Sequence, residues 1–125
     1  MDITLDQLRN SFPILQKLAL EKFAPAAALR VGRLIKAVAE EHALLEEQRI
    51  RLVKTYGDED ENGGFSVSNE RYPEFAGEFG KYLAEAAVID QPSLPISFLP
   101  QTIKLTPGEM LALFPCWMQR TSNLV

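Results

Sequence analysis

Apolar and polar positions alternate along this chain with two different periods, and the change of period outlines the fold. Leu5, Leu8, Phe12, Leu15, Leu18 and Phe23 recur at close to helical spacing, the repeat that lines one face of an α-helix. Thr4 followed three residues later by Gln7 forms a capping-box pattern, so the predicted helix starts there. Pro13 removes one backbone donor inside it and predicts a kink or restart. Pro25 ends this element and suits the first turn of the next.

Between Pro25 and Tyr56 there is no further proline, and Val31, Ile35, Val38, His42, Leu45, Arg49, Leu52 and Tyr56 follow one another in alternating steps of four and three. That is the coiled-coil-like stripe of a single long amphipathic helix. At 1.5 Å per residue it extends about 45 Å, longer than a compact domain of this size requires. Its apolar stripe therefore has to be covered by other elements or by a second copy. Gly57 supplies the expected left-handed stop. A short extended piece at Phe65-Ser66-Val67 and a third helix from about Asn69 to Ala87 follow, with Pro73 near its start and Phe75, Phe79, Tyr82, Leu83 and Ala86 along it. A connection this short favours an antiparallel hairpin. The third helix should cover the later half of the long one, and the first helix the earlier half.

Beyond residue 87 the period shortens. Ile96 alternates with Phe98 and Ile103 with Leu105, among Pro92, Pro95 and Pro100, which predicts short extended strands near a sheet edge and rules out long central ones. Thr106-Pro107-Gly108-Glu109 combines an N-cap hydroxyl, a proline at the first helical position and an acid at the third. A short last helix is expected there, presenting Met110, Leu111 and Phe114 on one face until Pro115. Taken together the chain reads as α+β, mainly α: a long antiparallel helical hairpin with an N-terminal helix, short β strands and a short C-terminal helix, in one domain spanning residues 1–125.

Composition narrows the chemistry. With 125 residues and 46% hydrophobic content the chain supports one ordinary core. Asp58, Glu59, Asp60 and Glu61 account for the whole formal charge of −4, and the remainder is balanced. Without a basic block, the footprint that drives phosphate-backbone binding is missing, which argues against nucleic acid as the main partner. Arg30, Arg33 and Lys36 at helical spacing read as a solvated face. One cysteine, Cys116, permits neither an internal disulfide nor a cysteine-rich zinc site and fits a reducing compartment. MDITLDQLRN shows no basic flank followed by an apolar run, so neither export nor membrane insertion is expected.

Three places invite a functional reading. The stretch GDEDENGGFSVSNE sets Asp58, Asp60 and Asn62 at alternate positions before Gly63, the ligand order of a calcium-binding helix-loop-helix. The closing position is Asn69, and Glu70 falls one place late. A solvated turn that satisfies its own backbone is the competing and favoured reading. His42, the sole histidine, has Glu41, Glu46 and Glu47 nearby but no nucleophile or metal partner at a useful spacing. A core or interface role fits it better than catalysis. Met110, Phe114, Trp117 and Met118 gather long apolar groups towards the C-terminal side. They read either as a cap on the core or as an exposed anchor for a protein partner. Gly32, Gly77 and Gly80 inside helices suggest close helix-helix approach.

The order of these features resembles that of a group of small uncharacterised proteins of tailed bacteriophages and prophages. The resemblance rests on Lys54-x-Tyr56-Gly57, the Asp/Glu/Asn/Gly turn, Phe65-Ser66-Val67, the Glu-Phe-x-x-Glu-Phe-x-x-x-Leu helix from Glu74 to Leu83, and Leu-Thr-Pro-x-Glu-x-Leu-x-Leu from Leu105 to Leu113. It covers roughly residues 25–114, and its motifs are structural. It implies a phage origin, synthesis in the cytoplasm of a bacterial host with a place in the virion left open, and no catalytic residues or cofactor. The expected function is non-enzymatic: contact with a phage or host protein, in virion assembly or in modulation of a host factor or defence, together with self-association.

Overall fold

The computed structural model describes residues 3–92, 94–100, 103–113 and 117–119. Helix α1 runs from Leu5 to Leu18 and opens with a complete capping box. Gln7 N–H donates to Thr4 Oγ1 at 3.2 Å, and Thr4 N–H donates to Gln7 Oε1 at 3.0 Å. The helix continues through Pro13 but ends five residues before the expected Phe23. Pro25 is the cause. The residue before it, Ala24, is held extended at ψ 150, so the chain must leave the helix early. Leu20 N–H turns back to Lys17 O and Glu21 N–H to Leu18 O in a tightened last turn.

Helix α2 spans Pro25–Tyr56, the 32 residues its apolar period predicts, about 48 Å at 1.5 Å per residue. Pro25 occupies the first turn, where a missing N–H costs nothing. The stop is at Gly57, for a different reason from the expected one. Gly57 is extended at φ −100 and ψ 169, and it is required because a Cβ there would run into the backbone oxygens of Val53 and Ser66. The only non-negative φ among the described residues belongs to Gly63, at 82°.

The acidic segment is a small hairpin. Strand β1, Asp58–Glu59, pairs antiparallel with β2, Phe65–Ser66, in the register Asp58 to Ser66 and Glu59 to Phe65. Helix α3, Tyr72–Leu83, is shorter than the expected 69–87 at both ends. Ser68 O accepts from Arg71 and Tyr72 N–H in a turn that precedes Pro73, so helical geometry begins at Tyr72. At the other end the chain turns extended to pair with the segment before α1. Leu5 N–H donates to Glu85 O and Ala87 N–H to Ile3 O, both at 2.8 Å, around a bridge between Thr4 and Ala86.

The long helix is covered in halves. Val31, Leu34 and Val38 pack with Leu8, Leu15 and Leu18 of α1, and Leu45 packs with Phe75 and Phe79 of α3. Arg71, beside the start of α3, lies over the ring of Tyr56 at the end of α2, so the α2–α3 hairpin is antiparallel. Arg9 of α1 sits over Phe79 at 5.3 Å from the ring centroid, a contact that ties the first helix to the third. The glycines at 32, 77 and 80 do not mark close approach: a Cβ at any of them would meet nothing within 4 Å.

The C-terminal part is irregular. Leu94–Pro95 forms strand β3 and pairs parallel with Met118–Gln119, β4. Ile96–Phe98 is a 3₁₀ turn and 103–105 is unpaired, so the two alternating pairs of the sequence are not strands. With prolines at 92, 95 and 100, a ladder longer than two residues lacks the donors to propagate. Helix α4, Pro107–Leu113, has the expected box. Glu109 N–H donates to Thr106 Oγ1 at 3.1 Å and Thr106 N–H to Glu109 Oε1 at 2.9 Å.

The Thr106 N–H, followed by the Lys17 ammonium at 3.3 Å, holds the Glu109 carboxyl below the usual carboxylate range. A depressed acid stabilises above its unfolded pKa and loses that contribution as pH falls through its folded value. Acidification is therefore expected to loosen the start of α4, seen as a shift of the Thr106 amide resonance with an apparent pKa below that of a free glutamate. Thr106→Ala is expected to cost about 1 kcal/mol at neutral pH, measurable by urea unfolding.

Candidate functional site

The residues singled out from the sequence are dispersed over the fold. In the acidic hairpin, Asp60 Oδ1 accepts from Asn62 N–H at 2.8 Å and Gly64 N–H at 2.9 Å. Asp60 N–H donates to Gly64 O at 2.7 Å and Gly63 N–H to Asp60 O at 3.2 Å. The carboxylate most central to the calcium pattern thus closes the turn on its own backbone. Asp58 belongs to a strand and Glu70 to the turn before α3. Among the described residues no three carboxylate, histidine or cysteine groups converge into a cation site, so Asp58, Asp60, Asn62 and Glu70 are not brought together. Asp60→Ala is expected to cost about 1 kcal/mol, since two amides lose their acceptor, and hydrogen exchange at residues 59–66 is expected to accelerate.

His42 stacks on Phe12 across the α1–α2 contact, with ring centroids 4.1 Å apart and planes at 26°. The carboxylates near it are engaged elsewhere. Glu41 Oε2 accepts from Val88 N–H at 3.1 Å, and Glu47 pairs with Arg51 at 3.2 Å. Glu46 accepts from Arg49 at 2.9 Å, a bond that lowers its pKa. None of these three glutamates hydrogen-bonds His42, so they form no proton relay with it. The imidazole works as a flat packing surface.

The aromatic cluster also divides. Trp117 is wholly buried, and its indole N–H donates to Ser11 Oγ, which in turn donates to Leu8 O at 3.1 Å. This corrects the anchor reading for Trp117: the side chain is a core element with its one polar atom satisfied, as a buried indole requires. Met110 is half-buried on α4. Met118 contributes its backbone to β4. Phe114 lies outside the described residues, as does Cys116. Of the three cations on α2, Arg30 lies over Phe98 at 4.8 Å, covering apolar surface, while Arg33 and Lys36 are exposed.

What the structure adds is an apolar corner where α1 hands over to α2. Leu20 stands 86% exposed, more than any other large apolar side chain among the described residues, and Leu29 is 56% exposed on the first turns of α2. Beside them lies a groove of about 160 Å³ lined by Leu18, Phe23, Ala28, Val31, Gly32 and Ile35. The sequence does carry a signal for it: Leu20 and Leu29 fall outside the periodic stripe. A second, wider groove of about 220 Å³ separates α2 from the acidic hairpin, with Ile50, Val53 and Phe65 between Arg49 and Lys54. Among the described residues no helix is long and apolar enough to cross a membrane.

No protein-family model matches the chain, and neither the curated proteins nor the solved structures contain a match to it.

Proposed function

We propose that this chain is a bacteriophage or prophage protein that acts by binding other proteins, without chemistry of its own, in the cytoplasm of the bacterial host or as part of the virion. The observation that carries the reading is the exposed apolar surface on a well-packed helical frame, above all Leu20 and Leu29 beside an open groove. Exposed apolar side chains gathered at a concave surface favour protein contact. The phage assignment rests on the likeness in the order of motifs from Lys54 to Leu113. The task is either building the particle or altering a host factor, and self-association belongs to the same reading because an apolar corner can be covered by a second copy.

Affinity capture from phage-infected cells tests it, using wild-type bait and two folded surface variants, Leu20→Asp and Ile50→Asp. The reading predicts one or more proteins retained in stoichiometric amount by wild type and released by at least one variant. Equal retention by all three baits, or no specifically retained protein, contradicts it.

A further inference from the structure

We propose that the groove beside Arg30 and Arg33 of α2 binds one doubly charged oxyanion, the phosphoryl group of inorganic phosphate or of a small phosphate monoester. The site is separate from the apolar corner and needs no second protein.

Charge along α2 is lopsided. Residues 25–39 contain Arg30, Arg33 and Lys36 and no acid, although the start of a helix favours acids over cations and the first turn of α2 holds none. None of the ion pairs among the described residues includes any of these three cations. Arg30 and Arg33 are three residues apart on one face of the helix, a spacing at which like charges repel. In a chain of formal charge −4 this is a local cationic surplus, and a bound anion relieves it.

The groove has a volume of about 180 Å³ and is lined by Arg30, Arg33, Gln91, Pro92 and Leu94. The chain that forms its far wall is tied down at two points. Val88 N–H donates to Glu41 Oε2 of α2 at 3.1 Å, and the buried Leu94 donates its N–H to Trp117 O at 2.7 Å. Arg30 is held too, half-buried with its guanidinium carbon 4.8 Å from the centroid of the Phe98 ring. Stacking engages the face of a guanidinium and leaves its in-plane N–H donors for a ligand. The wall and one fork are therefore in place before binding, which lowers the ordering cost.

Size and charge select the ligand. Pockets for whole drug-sized molecules have about 300–1,000 Å³, so this groove takes a single group. A phosphoryl group carries about −1.5 to −2 at neutral pH and balances both guanidiniums, where a carboxylate balances one. The Gln91 amide adds a donor for a further oxygen. Asp90, exposed beside Gln91, and Glu40, two turns beyond Arg33, are the acids nearest in sequence. They lower the affinity without occupying the groove, since neither lines it.

Titration of the isotope-labelled full chain with sodium phosphate and, separately, with glycerol phosphate tests the proposal, at about pH 7.5 and constant ionic strength, through the arginine Nε–Hε resonances. Saturable shifts are expected at Arg30 and Arg33 with a Kd on the order of 1 mM, and acetate is expected to bind about ten-fold more weakly. Arg33→Gln is expected to weaken phosphate binding by about ten-fold or more. Arg33→Lys, which keeps the charge and loses the fork, is expected to weaken it by about three-fold, and Lys36→Gln by less than about two-fold. Circular dichroism checks that each variant folds. Tighter binding of the monoester identifies a phosphorylated compound as the ligand, and tighter binding of inorganic phosphate identifies the free ion. No saturable shift up to about 20 mM phosphate, or equal losses from Lys36→Gln and Arg33→Gln, overturns the site. A single-stranded oligonucleotide that binds more tightly per phosphate than either small ligand overturns it in favour of a nucleic-acid contact.

Discussion

Trp117→Ala is expected to lower the unfolding free energy by about 3–5 kcal/mol, the range for removing a fully buried aromatic side chain. Trp117 has no exposed surface, and it closes the core formed by Leu8, Leu15, Leu18 and Leu113. Its loss opens a cavity and leaves Ser11 Oγ without the indole donor. Its backbone also ties the C-terminal part together, because Trp117 N–H donates to Leu113 O at 2.8 Å and Trp117 O accepts from Leu94 N–H at 2.7 Å. Trp117→Phe keeps most of the volume and loses the polar link, so a cost of about 1–3 kcal/mol is expected. Urea denaturation checks both values. As the sole tryptophan, Trp117 also reports on itself: native emission is expected to be blue-shifted and to move red in one transition with the helical signal.

The second large effect is expected at Phe79→Ala, about 3 kcal/mol, near the lower bound for a buried phenylalanine because 7% of its surface remains exposed. Phe79 stacks on Phe75 with centroids 5.8 Å apart and carries the Arg9 guanidinium on its ring. Leu45, Phe75 and Phe79 are the buried residues of a small second cluster. With so few members, loss of one ring is expected to free α3 from α2 before the larger cluster opens. Amide exchange resolves this: residues 72–83 lose protection at a lower urea concentration than residues 5–18 in the variant, and together with them in wild type.

The helical frame was readable from the chain for definite reasons. Pro25 and the unbroken four-three stripe to Tyr56 give both ends of α2, because proline at N1 and an apolar period leave few alternatives. Thr4 with Gln7 and Thr106 with Glu109 mark their helix starts by side chains that bond only at that place. The failures have physical causes as well. Phe23 falls on the helical phase of Leu5 and Phe12, but local spacing does not reveal that the turn before Pro25 needs extended backbone at Ala24. The end of α3 is set by pairing of Thr4 with Ala86, residues far apart in sequence. Ile96 and Phe98 alternate as a strand would, yet strand formation depends on a partner with free donors, and the prolines around them remove several.

The candidate site was less legible. The acidic loop displays a ligand pattern, and only the structure shows Asp60 turned onto its own amides. Trp117 carries the same composition signal whether it anchors a partner or fills a core, and burial decides between them. Gly32 was readable as unusual, though as a sign of tight packing, where the space beside it is open. A glycine lowers helix stability in either case, and whether a neighbour occupies the space beside it is invisible in one dimension.

Amide hydrogen exchange compared at about 10 µM and about 500 µM tests most directly the proposed self-association of the chain at the apolar α1–α2 corner. The account predicts slower exchange at high concentration confined to residues around the corner, 18–36, with the acidic hairpin and α3 unchanged. Identical exchange at both concentrations, or added protection elsewhere and none at the corner, would contradict it.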